Sequence, residues 1–112
     1  MEIKIRTNQL IYIIDVMGEM DMHDSNQLKD LVMKMIEKKV ERFIINVEHI
    51  KSIDSSGMGA LIFISSTLKK MNLRLAIANV RGPVKQVMEK IKLSGYFPLY
   101  SDISGAIKAL SD

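Results

Sequence analysis

Short apolar runs rich in isoleucine alternate along the chain with segments of helical period, and this alternation limits the possible folds more than any other feature. Residues 10–17 and 43–47 are almost continuously apolar, which is typical of buried strands. Ile3 and Ile5 alternate with charged residues, which indicates a strand with one solvated face. Because strands that alternate with helices favour parallel crossovers, we expect an α/β fold with an antiparallel pair only at its start.

Turn residues and the period of the apolar residues predict where the first elements end. Gly18 is expected to end the second strand, and residues 19–25 are expected to form a polar loop. Apolar residues then recur at helical spacing over residues 28–36, which predicts an amphipathic helix. Asp24 and Gln27 have the spacing of a capping box at the start of this helix.

The second half of the chain continues the alternation of strands and helices. The predicted segments are a connection at 48–53, a largely buried helix at 54–71, a strand at 73–78, a helix from Gly82-Pro83 to a stop at Gly95, a short edge strand at 97–100, and a last helix capped by Ser101 or Asp102. The expected fold is therefore one domain over residues 1–112, with a mixed sheet of four to five strands and about four helices packed against it.

Composition excludes several classes of function. The chain has no Cys, which excludes disulfides and thiolate metal sites and suits a cytoplasmic protein. Its net charge of +3 is spread without a basic stripe, so we do not expect nucleic-acid binding. No apolar run approaches ~18 residues, so no membrane span is expected. Asp21, His23 and Asp24 lack a fourth metal ligand, and no glycine-rich phosphate loop occurs, so neither a metal nor a cofactor is expected.

The segment most suited to a functional role is residues 54–59 (DSSGMG), which follows a strand and opens a helix. The first turn of a helix has unpaired N–H groups and a positive dipole, so a serine there either caps the helix or carries a phosphate that these groups stabilise. Gly57 and Gly59 each cost roughly 0.5–1 kcal/mol relative to alanine in a helix. Two interpretations stay open: a serine-capped helix with glycines packed on a strand, or a site where another backbone approaches.

Three motifs occur in a fixed order: residues 18–21 (GEMD) after a buried strand, residues 54–59, and residues 82–84 (GPV). In this order and spacing the chain resembles the STAS-domain family over nearly its whole length, and within that family the bacterial anti-sigma-factor antagonists. Asn46 departs from the family pattern, because an acidic residue is common at that position.

The resemblance implies a partner switch. Such an antagonist, when unphosphorylated, binds an anti-sigma factor and frees the sigma factor. The anti-sigma factor is itself a serine kinase, and it phosphorylates the first serine after the aspartate, here Ser55, with Ser56 as the fallback. A PP2C-type phosphatase restores the unmodified form. The predicted switch and partner-binding residues are Asp21, Asp54, Ser55, Ser56, Gly57, Met58 and Gly59, on a protein expected to be a monomer or weak dimer.

Two other classes of function remain. One is a STAS-type scaffold, or a regulatory subunit of another signalling relay or of a transporter. The other is a small serine hydrolase, which needs a base beside its nucleophile. The chain has two histidines, His23 and His49, and neither Ser55 nor Ser56 lies in a Gly-x-Ser-x-Gly pattern, so we do not expect an enzyme.

Overall fold

The first two strands pair as a hairpin because two residues separate them and Gln9 adopts a left-handed conformation with φ of 56°. In the computed structural model, which describes residues 1–111, the later strands each return through a helix and therefore pair in parallel. Asp112, the last residue of the predicted domain, lies outside the described residues. The sheet order follows the chain and contains β1 (Glu2–Asn8), β2 (Ile11–Met20), β3 (Arg42–Ile53), β4 (Arg74–Ala78) and β5 (Leu99–Tyr100).

Helices cover both faces of this sheet, because the inner strands bury alternate side chains on opposite sides. Ile45 of β3 packs in the core with the first three helices, whereas the adjacent Ile44 packs against the last one. The predicted mixed α/β sheet is confirmed. The helices are α1 (Met22–Glu37), α2 (Ser55–Lys70), α3 (Gly82–Lys90) and α4 (Ile103–Leu110), with a short 3-10 helix at Ser94–Tyr96.

Asn46 occupies a position that is often acidic in the family the chain resembles, and its neighbours explain the difference. Asn46 pairs in register with Asp15 on β2, donates a 2.8 Å hydrogen bond to its carboxylate, and accepts one of 3.0 Å from Asn79. Burial raises the pKa of Asp15, but the hydrogen bonds from Arg6 and Asn46 outweigh burial and hold that pKa below its usual value. An acidic residue at position 46 would place two carboxylates face to face, so the amide suits this chain.

Two predicted loops are wrong because the strands beside them continue. β2 passes through Gly18, which has φ of +93° beside a shift in register, and ends at Met20. β3 extends through residues 48–53 to Ile53, which is the register partner of Met20. These segments lie at the carboxyl ends of two inner strands, where most of the polar side chains are exposed while the backbone still pairs. The polar composition of these segments is therefore like that of a loop, although the segments are paired strands.

Two predicted helix boundaries are also wrong. Asp24 and Gln27 form no capping box, because α1 already begins at Met22. Gly95 does not end α3, which stops at Lys90; Lys92 takes the left-handed conformation with φ of 60°. At α4 the cap is Asp102, one of the two residues predicted. None of the helices described between residues 1 and 111 is long and apolar enough to cross a membrane.

Candidate functional site

Two parallel strands end side by side, and each is followed at once by an aspartate and a helix. Met20 of β2 and Ile53 of β3 are register partners, so Asp21 and Asp54 emerge next to each other at the carboxyl edge of the sheet. The backbone N–H of Asp54 also donates to the carbonyl of Met20 at 3.3 Å. The two strand ends therefore open on the same edge of the sheet.

Both aspartates cap the helices that follow them. The Asp21 carboxylate accepts a 3.0 Å hydrogen bond from the N–H of Asp24, and the Asp54 carboxylate accepts one of 2.9 Å from the N–H of Gly57. The bond from the Asp24 N–H holds the pKa of Asp21 below its usual value. The interpretation that a serine caps α2 is wrong, because Asp54 does so. The adjacent serines are left for other roles.

Ser55 occupies the first position of α2 and is exposed, whereas Ser56 is half-buried. Among the described residues no side chain or carbonyl forms a hydrogen bond with the Ser55 hydroxyl. A side chain at this position faces solvent, and the helix end provides a positive partial charge close to it. Ser55 is therefore the more accessible of the two predicted phosphoacceptors; its modification stays a prediction.

The two glycines of the motif have different surroundings. A Cβ added to Gly57 would lie 2.5 Å from the carbonyl oxygen of Met20 and 2.7 Å from Cγ1 of Ile53. A Cβ on Gly59 would meet nothing within 4 Å. Gly57 thus lets α2 start directly on the paired strand ends, as the packing interpretation expected. Gly59 leaves an open spot on the exposed side of α2.

The predicted switch residues divide into a surface group and an interior group. Asp21, Asp54, Ser55 and Gly59 are exposed. Gly57 and Met58 are buried, and Met58 packs in the core. Gly57 lies against the strand ends, whereas Met58 also lines the open surface beside Ser55.

An open groove of about 400 Å³ lies beside Ser55, between α2 and α3. Its α2 side includes Gly59 and Ile62, and its opposite side includes Val87 and Lys90 of α3 and Ile91, which follows that helix. Sequence reasoning did not assign these last three residues to the site, since they lie more than 30 positions from Ser55 in the chain. No local pattern marks them; only the packing of α3 beside α2 brings them to Ser55.

Large apolar side chains are exposed on α1 and α2. Phe63, on the helix predicted to be largely buried, is 45% exposed, and the Lys29 ammonium lies 5.5 Å from its ring centroid. Met22, at the first position of α1, is also exposed. Single exposed apolar side chains are common on small domains, so these two do not by themselves define a contact surface.

These features define a class of protein: a small α/β domain with an accessible serine at the start of a capped helix, beside an apolar groove. A sequence model of the STAS domain matches residues 2–106, and the chain belongs to the STAS domain family. Residues 54–59, which contain most of the predicted site, lie within the matched region.

Several known proteins similar to this chain are described as anti-sigma factor antagonists. An anti-sigma F factor antagonist from Paenibacillus polymyxa is 21% identical over 111 residues, covering 98% of this chain and 95% of the relative. A Thermotoga maritima protein described as a candidate anti-sigma factor antagonist has a TM-score of 0.89 at 17% identity, covering 98% and 95% of the two chains. The phosphorylated form of the Bacillus cell fate determinant SpoIIAA has a TM-score of 0.73 at 20% identity, covering 96% and 98%.

Proposed function

We propose that this chain is an anti-sigma factor antagonist whose binding to its partner is switched off by phosphorylation of Ser55. The observation that carries the proposal is the exposed Ser55 hydroxyl at the start of α2, beside an open apolar groove. The name of the Paenibacillus relative supports the general role, and the solved phosphorylated form of SpoIIAA supports a phosphate on this fold. The proposed role is regulatory and places the chain in the cytoplasm.

The charge around Ser55 supports a release mechanism. A phosphate adds about −1.5 to −2 charges beside the exposed carboxylates of Asp21 and Asp54. The positive end of α2 stabilises this charge, so the fold tolerates the modification while the surface becomes strongly negative. Like charges opposed at an interface cost several kcal/mol, and a loss of ~2.8 kcal/mol weakens binding about 100-fold.

The proposal includes two partners with distinct chemistry. An anti-sigma factor with serine kinase activity binds the unmodified surface and transfers the γ-phosphoryl group of ATP to the Ser55 hydroxyl. A PP2C-type serine phosphatase removes the phosphate and restores binding. The exposed position of Ser55 gives both enzymes access, whereas the half-buried Ser56 is less accessible.

The first experiment identifies the phosphoacceptor. The chain is incubated with the host's anti-sigma factor and ATP, and its intact mass is measured with and without phosphatase treatment. Ser55→Ala should abolish the added mass, whereas the matched variant Ser56→Ala should retain it. Full phosphorylation of Ser55→Ala would reject Ser55 as the acceptor, and loss in Ser56→Ala alone would move the site to Ser56.

The second experiment tests the charge mechanism by calorimetry. Ser55→Asp should weaken the complex with the anti-sigma factor, whereas Ser55→Asn, of nearly the same size and without charge, should bind like the unmodified chain. Equal affinities for the two variants would contradict the charge argument. Capture from the native host of a transporter subunit in place of an anti-sigma factor would favour the alternative role as a regulatory subunit.

A further inference from the structure

The open groove beside Ser55 has one charged residue on each of its sides. Among the described residues that line it, Asp54 carries the one negative charge and Lys90 carries the one positive charge. Asp54 precedes Ser55 at the start of α2, whereas Lys90 is the last residue of α3 on the opposite side. The rest of the lining is mostly apolar. The Lys90 ammonium is therefore the cation that this groove presents to a group on Ser55.

The Lys90 side chain is exposed, and its ammonium forms no ion pair or hydrogen bond within residues 1–111. Arg6 and Arg81, by contrast, each pair with a carboxylate on a neighbouring strand. A lysine ammonium is a point charge on a flexible four-carbon stem, so it reorients towards a new anion without a change in the backbone. Lys90 is thus available to a negative group that appears on the other side of the groove.

We infer that Lys90 pairs with the phosphate on Ser55 and is therefore a residue of the switch, an inference that rests on the proposed function. In the unmodified chain the charges of Asp54 and Lys90 offset each other, so the groove is close to neutral. A phosphate on Ser55 adds about −1.5 to −2 charges on the α2 side and attracts the ammonium from the α3 side. The pair then lies across the groove and covers the apolar side chains that a partner contacts in the unmodified chain.

This pairing gives phosphorylation a second effect besides repulsion of the partner. The modified chain both presents negative charge and loses access to the apolar lining of the groove. Exposed ion pairs are weak, so the contact should change the ionisation of the phosphate by a fraction of a pH unit. A lysine in the last turn of α3 also offsets the negative end of that helix, and the experiment must separate the two roles.

The test builds phosphoserine into position 55 of the full chain during synthesis by codon reassignment, so that no kinase is needed. Phosphorus-31 NMR then follows the second ionisation of the phosphate, whose pKa is ordinarily about 6. A neighbouring ammonium favours the dianion and lowers this pKa. Lys90→Gln should therefore raise the pKa by about 0.5 units at low ionic strength, whereas Lys90→Arg should leave it nearly unchanged. Asp21 and Asp54 are present in every variant, so their repulsion cancels in the comparison.

Two controls separate the contact from the general charge of the surface. Lys85→Gln removes the same charge from α3, but Lys85 lines a different depression, so this variant should leave the pKa unchanged. Phosphoserine at position 56 should not respond to Lys90→Gln, because Ser56 does not line the groove. Proton NOEs between the Lys90 side chain and the methylene group of residue 55 should be present in the phosphorylated chain and absent from the unmodified one.

Two results would overturn the inference. An equal pKa of the phosphate with and without Lys90→Gln would leave Lys90 only its role at the end of α3. An equal rise in Lys85→Gln would mean that the phosphate responds to net charge and not to a contact. Because the phosphate is built in, the outcome does not depend on a kinase. Pairing in a chain that no host kinase modifies would reject the proposed function and leave this contact standing.

Discussion

The starts of α1 and α2 have the same capping geometry but differ in which of their side chains are exposed. Each follows one of two paired strand ends, and the capping residues Asp21 and Asp54 have nearly the same backbone angles, φ/ψ of −102°/−172° and −101°/−174°. Each carboxylate accepts the N–H of the third helical residue. That third residue is Asp24 in α1 and Gly57 in α2, which shows that the cap itself does not require a glycine.

The hydroxyl groups of the two helix starts also differ in position. In α1 the Ser25 hydroxyl is buried and donates to the carbonyl of Asp21, so it stabilises the helix start. In α2 the Ser55 hydroxyl faces outward at the first helical position. The same cap therefore supports a structural serine in one helix and an accessible serine in the other. The start of α2 also differs from the start of α1 in that Gly57 lies directly against the carbonyl of Met20.

The largest effect is expected at Gly57. Gly57→Ala should lower the free energy of unfolding by about 2–3 kcal/mol, because the new Cβ would collide with the Met20 carbonyl and the Ile53 side chain. Urea unfolding measures this change. The matched variant Gly59→Ala, whose Cβ meets nothing, should gain about 0.5–1 kcal/mol from helix propensity. Equal effects of the two changes would mean that the strand end does not restrict α2.

The next effect concerns the cap of α2. Asp54→Ala removes the acceptor for the Gly57 N–H and should cost about 1–2 kcal/mol of unfolding free energy. Asp54→Asn keeps an acceptor oxygen and should cost much less, as measured by thermal unfolding. Asp21→Ala, which removes the corresponding cap of α1, should also lower the melting temperature of the protein. If Asp54→Ala left stability unchanged, the two starts would not share a capping mechanism.

The two serines give a smaller contrast. Ser25→Ala should cost about 1 kcal/mol, because it removes a buried hydroxyl that donates to Asp21. Ser55→Ala should stay within about 0.5 kcal/mol of the unmodified chain, since an exposed side chain without a partner is removed. Denaturant midpoints compare the two. A larger loss for Ser55→Ala would show that this hydroxyl is structural.

The smallest effect is a pH dependence at the start of α1. The pKa of Asp21 is lowered in the folded chain by the Asp24 N–H, so its stabilisation is complete above the unfolded pKa of about 3.9 and is lost as pH falls through the lower folded value. The stability of the unmodified chain relative to Asp21→Asn should therefore decrease only below pH ~4. Denaturant titrations from pH ~6 to pH ~3 measure it. Asp30→Asn, which removes a charge without removing a cap, is the control, and a difference that does not vary with pH would contradict the linkage.

Much of the fold could be predicted from the sequence because the relevant signals are local. The isoleucine-rich run before Gly18 and the helical spacing over residues 28–36 each identified an element whose type the structure confirms. The errors fall at residues 19–20 and 48–53, where strands continue although most of the polar side chains are exposed and only Met20 and Ile50 are buried. There, pairing between β2 and β3 determines the structure, and pairing partners are distant in the chain.

At the site, the chain's own sequence determined which chemical groups are present: an aspartate, two serines and two glycines at the start of a helix. Only the tertiary structure decided which of these groups are exposed and which are buried. The register of Met20 with Ile53 puts Asp21 beside Asp54, the close approach of the strand end makes Gly57 structural, and the packing of α3 brings Lys90 to the groove at Ser55. The physical reason is that capping and residue type act within one helical turn, whereas burial and exposure depend on contacts between segments far apart in the chain.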